Sequence, residues 1–181
     1  MKKLLLSISC LLVSIFVNAQ NPVFNWQLEV ASAGTDLGMG SIGSGCQDAA
    51  IDQLGNIYSI GVFGNTVDFD PSAATYTMAG SSPNALDIYI TKVSPTGSFI
   101  WAKRIGGSTS SDYSHGIVVD SNNDIYVSGS IRGTVDLDPG IGVYNLNGGS
   151  TVAKDFILKL NSSGSFVWAK LMNGTTTYRH I

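Results

Sequence analysis

An internal repeat limits the fold of this chain more than any other feature. Residues Asp52–Gly80 recur at Asp120–Gly148 with a constant spacing of 68 and no gap. Eleven of the 29 paired positions are identical, including Asp52/Asp120, Ile57/Ile125, Tyr58/Tyr126, Gly61/Gly129, Val67/Val135 and Pro71/Pro139. A second block pairs Gly97-Ser98-Phe99-Ile100-Trp101-Ala102-Lys103 with Gly164-Ser165-Phe166-Val167-Trp168-Ala169-Lys170, now at a spacing of 67. One residue must therefore be deleted between the blocks, and the alignment places it near Leu86–Lys92 against Lys154–Lys159. Phe24-Asn25-Trp26 is a degenerate further copy of the Trp element. A supersecondary unit that recurs in this way cannot bury its apolar face alone and stacks on its neighbours.

The unit reads as strands. In the second copy, Ser114–Val119 and Asp124–Ile131 flank Asp120-Ser121-Asn122-Asn123, a turn of residues whose short polar side chains bond their own backbone. Thr134–Leu137 and Gly142–Leu146 flank Asp138-Pro139-Gly140 as a short hairpin. Asp155–Leu160 and Ser165–Leu171 flank Asn161-Ser162-Ser163-Gly164, with Gly164 at the position that needs positive φ. The first copy repeats the plan, with turns at Gln53-Leu54-Gly55-Asn56 and Ser94-Pro95-Thr96-Gly97. No helical apolar period is sustained beyond the N-terminal segment. With 21 glycines and only 13% charged residues, the composition also describes strands and turns.

Four strands plus an extra hairpin per unit predict an all-β fold of β-propeller-like blades, antiparallel within each blade. Blades stack face to face, and Trp101 and Trp168 recur once per unit as expected of an inter-blade packing residue; a sugar-binding surface is the alternative for them. Asp-x-x-Gly-Asn-Ile-Tyr at Asp52–Tyr58, its variant at Asp120–Tyr126, and the Gly-Ser-Phe-x-Trp-Ala-Lys elements resemble the SBBP family of β-propeller repeats, found in exported bacterial proteins. The second copy departs from the pattern with Asn123-Asp124 in place of Gly55-Asn56. The resemblance implies a propeller and export and assigns no activity. Propellers close with about four to eight blades, whereas this sequence supplies about two: unit one over about 24–103 and unit two over about 104–170. A third unit is expected to start within 171–181, because Tyr178-Arg179-His180 resembles Tyr113-Ser114-His115. An incomplete propeller from a longer chain is expected, with further blades as partners; closure by oligomerisation is the alternative.

Residues 1–19 read as a signal peptide. Lys2 and Lys3 precede the apolar run Leu4–Phe16, and Val17-Asn18-Ala19 supplies the small-residue cleavage site. The run is short for a membrane span, so no span is expected after cleavage. A retained anchor and lipidation at Cys10 are the alternatives. Loss of Lys2 and Lys3 leaves 8 basic against 13 acidic side chains over 20–181, a formal charge of −5. Without a basic stripe, nucleic acid is not an expected partner. Cys46, the one cysteine beyond Cys10, is expected to be buried and inert.

Candidate sites follow from the repeat. Thr66-Val67-Asp68-Phe69-Asp70-Pro71 and Thr134-Val135-Asp136-Leu137-Asp138-Pro139 place two carboxylates on one strand face. Asp68, Asp70, Asp136 and Asp138 are therefore candidate Ca²⁺ ligands. In the competing reading, Asp70 and Asp138 start turns while Asp68 and Asp136 face water. Asp112, Asp120 and Asp124 lie near His115 in sequence, but the first unit carries Gln47 at the His115 position, which favours a structural role. No Gly-x-Ser-x-Gly elbow or His-Glu-x-x-His motif occurs, and the Gly-rich stretch Gly34–Gly45 reads as a loop. No catalytic residue or cofactor other than Ca²⁺ is assigned. The expected function is an exported structural or binding scaffold presenting polar loops to a glycan or an extracellular protein. The alternative is the non-catalytic part of an extracellular enzyme.

Overall fold

The computed structural model describes residues 31–32, 45–107 and 110–172. The signal segment 1–19, the Phe24–Trp26 element, nearly all of the Gly34–Gly45 loop and residues 173–181 lie outside the described residues. All regular structure described is β: β1 (Ala31–Ser32), β2 (Gly45–Ile51), β3 (Ile57–Phe63), β4 (Thr66–Asp68), β5 (Thr77–Ala79), β6 (Asp87–Val93), β7 (Phe99–Ile105), β8 (Tyr113–Val119), β9 (Ile125–Ile131), β10 (Thr134–Asp136), β11 (Asn145–Asn147), β12 (Lys154–Leu160) and β13 (Phe166–Leu171).

These strands form two equivalent blades. The first is the antiparallel sheet β2-β3-β6-β7 and the second is β8-β9-β12-β13. Each blade interrupts its meander after the second strand with a short hairpin, β4-β5 or β10-β11, and β1 adds to the outside of β4. Strands β2 to β5 map onto β8 to β11 at the spacing of 68, and β6 and β7 begin 67 residues before β12 and β13. The deletion therefore lies in the loop before β6, slightly earlier than the alignment placed it. A loop absorbs a lost residue, whereas a one-residue slip inside β6 would turn every side chain to the wrong face.

The turns confirm their chemistry. Gly55, Gly97 and Gly164 hold φ of 80°, 81° and 76°, and Asn123 holds 62°, so Asn fills the left-handed position that Gly55 occupies in the first copy. Asp52 Oδ1 accepts from the Leu54 and Asn56 amides, and Asp120 Oδ1 from the Asn122 and Asp124 amides. Burial works to raise the Asp52 carboxyl, but hydrogen bonds from Asn56, Tyr58 and Leu54 outweigh it and hold it below the usual carboxylate value.

Gly61 and Gly129 recur for a steric reason. Each lies opposite a β-bulge, between Cys46 and Asp48 in β2 and between Ser114 and Gly116 in β8. A Cβ at Gly129 would overlap the Tyr113 carbonyl oxygen, and one at Gly61 the Gly45 carbonyl oxygen.

The blades stack through one apolar core. Tyr58, Ile60, Ile88, Ile90 and Ile105 of the first meet Ile117, Ile125, Val127, Phe156, Leu158 and Leu160 of the second. A separate cluster, Phe63, Val67, Phe69, Tyr89 and Ala102, fills the space between the first blade and its hairpin. Trp101 packs against the shared core and meets Tyr58 edge-on at 6.0 Å, the inter-blade role expected of it. The 161–164 turn of the second blade seats beside it: Lys92 Nζ donates to the Ser162 carbonyl at 3.4 Å, and a Cβ at Gly164 would lie 3.2 Å from the Trp101 ring. Asp48 reaches across from the β2 bulge, and its Oδ2 accepts the Ile117 amide at 3.0 Å.

Candidate inter-blade groove

The Asp-x-Asp elements form the frame of each hairpin. Val67, Phe69, Val135 and Leu137 point inward and are buried, so the aspartates between them share the opposite face. Asp68 Oδ1 accepts from the Asp70 and Tyr76 amides, and Asp136 Oδ1 from the Asp138 and Tyr144 amides. Asp70 Oδ1 accepts from Ser72, and Asp138 Oδ1 from Gly140. Asp70 and Asp138 thus start turns, as the competing reading had it. Asp68 and Asp136 do more than face water: half-buried, each ties the two strands of its hairpin together. Among the described residues, no group of three or more His, Cys, Asp or Glu side chains gathers in a way that could hold a metal ion.

The tertiary structure separates the two pairs. Asp136 and Asp138 line a groove of about 390 Å³ between the second blade's hairpin and the first blade's outer edge, a groove that Asp68 and Asp70 do not line. Its other wall carries Lys103 and Arg104 of β7 and Tyr76 of the first hairpin loop. Tyr76 is 42% exposed, rests on Phe99 at a centroid distance of 4.9 Å, and donates its hydroxyl to the Ala102 carbonyl. Arg104 is held by a 2.8 Å ion pair to Asp87, which is fully buried and also accepts from the Ser81 amide. Sequence reading passed over Tyr76, Lys103 and Arg104. The available signal was the replacement of Arg104 by Leu171 in an otherwise repeated element.

A second carboxylate, Asp112, lies close to this support. Its amide donates to the Leu86 carbonyl, beside Asp87, and its Oδ1 accepts the Arg132 amide. The residue is fully buried and its Oδ2 has no hydrogen-bond partner. Burial pushes the carboxyl up to about 7; the Arg132 amide works against this, and the Asp87 charge adds to it.

The cluster around His115 does not assemble. His115 is exposed, with Nε2 3.5 Å from the Ser130 hydroxyl. Asp120 caps its turn, Asp124 pairs with Lys159 at 2.8 Å, and Asp112 serves Arg132. Cys46 corrects an expectation: it is exposed rather than buried. It sits on edge strand β2 immediately before the bulge, where pairing breaks and the strand leaves the core.

The family comparison agrees with this architecture. Residues 100–134 match SBBP, described as a beta-propeller repeat. Over those residues the chain is similar to an SBBP repeat. The match runs from β7 through β8 and β9 into β10, so the SBBP segment straddles two blades, taking the outer strand of one and the inner strands of the next. No curated protein matches the chain.

Proposed function

We propose that this chain is an exported binding scaffold, part of a longer propeller, in which the second blade receives a further blade of the same kind. The observation behind this reading is a position-by-position contrast between equivalent faces. In the first blade Tyr58, Ile60 and Ile90 are fully buried by the second blade. Their counterparts Tyr126, Ser128 and Ile157 are half-exposed, and Val118 on the same face is 62% exposed. These residues line an apolar cleft of about 330 Å³.

The seat for a neighbouring turn is repeated as well. Lys159 lies 4.9 Å over the Tyr126 ring, as Lys92 lies 4.8 Å over Tyr58, and Trp168 meets Tyr126 as Trp101 meets Tyr58. In the first blade that seat takes the 161–164 turn. Stacked blades leave hairpins and turns on the rims, where such scaffolds bind.

Sequencing the coding region downstream of Ile181 tests the reading, which expects more copies of Asp-x-x-Gly-Asn-Ile-Tyr and Gly-Ser-Phe-x-Trp-Ala-Lys. A stop codon, together with a monomer that melts in one sharp transition, would refute it.

A further inference from the structure

We infer that Cys46 is a thiol-modification site that exchanges with low-molecular-weight disulfides, with Tyr89 as the positioning residue that donates to its sulfur. Strand register brings the two side chains together. Cys46 of β2 is the Cα partner of Gly61 in β3, and Gly61 is the partner of Tyr89 in β6. The three therefore form one row across one face of the sheet. Gly61 contributes no side chain, and a Cβ there would lie 2.7 Å from the Tyr89 phenol oxygen. The Tyr89 hydroxyl thus reaches over Gly61 toward Cys46. Tyr89 is fully buried, yet its hydroxyl has no hydrogen-bond partner, and an orphaned buried donor requires a reason. Cys46, at the end of the row, is exposed.

The second unit shows that this pair is not a generic property of the repeat. Ser114, Gly129 and Phe156 hold the same row there, so thiol and phenol arise together at two positions that the fold sets side by side. Burial, and after it the neighbouring Cys46, raise the Tyr89 phenol above its usual range, so it stays protonated and able to donate. The Cys46 thiol donates to the Asp48 carbonyl at 3.6 Å, which leaves the sulfur lone pairs to accept. A donor to sulfur favours the thiolate, the form that attacks disulfides. In the exchange the Cys46 thiolate bonds to one sulfur of the small disulfide and the original S–S bond breaks. The departing half leaves as a thiolate and takes up the proton that Cys46 gave up; Cys46 is oxidised and the departing half reduced. The chemistry is independent of the scaffold reading. Only the persistence of the product draws on it, because the export it includes would place the chain where disulfides last.

The test is incubation of the full chain, carrying Cys10→Ser so that Cys46 is its one thiol, with oxidised glutathione between about pH 6 and pH 9, read by intact mass. One glutathione per chain is expected, added faster at neutral pH to folded protein than to protein unfolded in urea. Tyr89→Phe, a side chain that the equivalent row already accommodates as Phe156, should slow the reaction about threefold at neutral pH and move its rate–pH profile toward alkaline pH. The factor reflects a roughly tenfold loss of thiolate, about half of it returned on the logarithmic scale as nucleophilicity. Melting curves establish that the variant is folded, and the folded-against-unfolded comparison does not depend on it. No adduct, a folded rate no greater than the unfolded one, or a rate or pH profile unchanged in folded Tyr89→Phe would each overturn the assignment. All of these results leave the scaffold reading intact, because the downstream coding sequence decides that reading separately.

Discussion

Replacing Asp112 by asparagine should remove a loss of stability that sets in as pH rises from about 4 to about 7. Asp112 is fully buried, with Oδ1 bonded to the Arg132 amide and Oδ2 without a partner. Its carboxyl is lifted from the usual 3.8 to about 7, first by burial and further by the Asp87 charge, although the Arg132 amide opposes the rise. Each tenfold step in the proton equilibrium is about 1.4 kcal/mol. Holding this carboxylate ionised in the fold therefore costs up to about 4 kcal/mol, as a ceiling. Because the folded value lies above the unfolded one, the penalty is absent below the unfolded value. It grows as pH rises and is complete once pH passes the folded value. Asparagine keeps the oxygen that accepts from Arg132 and removes the charge. Urea unfolding followed by tryptophan fluorescence between about pH 4 and pH 8 reads the effect as a difference between the Asp112→Asn variant and wild type. The difference cancels the opposite contribution of Asp52, which is held low and whose stability is lost as pH falls. The variant should gain about 2–4 kcal/mol on wild type across that range. A difference that does not change with pH would refute the reasoning, because a hydrogen bond lost equally at all pH values gives that result.

Three further outcomes follow from the blade contacts, and a fourth concerns calcium. Gly129→Ala should destabilise by about 3 kcal/mol or more, since its Cβ would overlap the Tyr113 carbonyl oxygen and lie 2.8 Å from the Phe156 ring; denaturant unfolding measures it. Asp48→Ala removes the acceptor of the Ile117 amide and should cost about 1 kcal/mol, with hydrogen exchange of that amide accelerating before those in the centre of the sheet. Asp136→Ala should cost about 1–2 kcal/mol by freeing two hairpin amides, while Asp136→Asn should cost less. Because Asp136 and Asp138 each commit an oxygen to backbone amides, millimolar Ca²⁺ should raise the melting temperature by less than about 1 °C. A larger rise, reversed by EDTA and lost in Asp136→Asn, would establish these residues as calcium ligands.

The repeat made the blade legible because it states the same local rules twice. Alternation along β3 and β9, Asx-forming turns at Asp52 and Asp120, and glycine or asparagine at positive φ act within a few residues of one another, where sequence carries the full physical cause. Cys46 was misread because its exposure depends on edge position and on a bulge, and neither is visible in the alternation of β2. The Asp-x-Asp elements were legible as motifs, since Asp70 and Asp138 start turns within two residues. The amides eight residues away at Tyr76 and Tyr144, which Asp68 and Asp136 also bind, required the closed hairpin.

What sequence alone determined is therefore periodic and local: strands, turns, two copies of one unit, and an apolar face that cannot be covered within a single sheet. Tertiary structure decided which identical motifs become different. Stacking buries Tyr58 and leaves Tyr126 half-exposed, and it brings Asp136 and Asp138 to a groove opposite Lys103, Arg104 and Tyr76. It also places Asp112 beside Asp87 in the interior. Each of these depends on which neighbour lies across the inter-blade gap, a relation between residues far apart in the chain that no short-range pattern encodes.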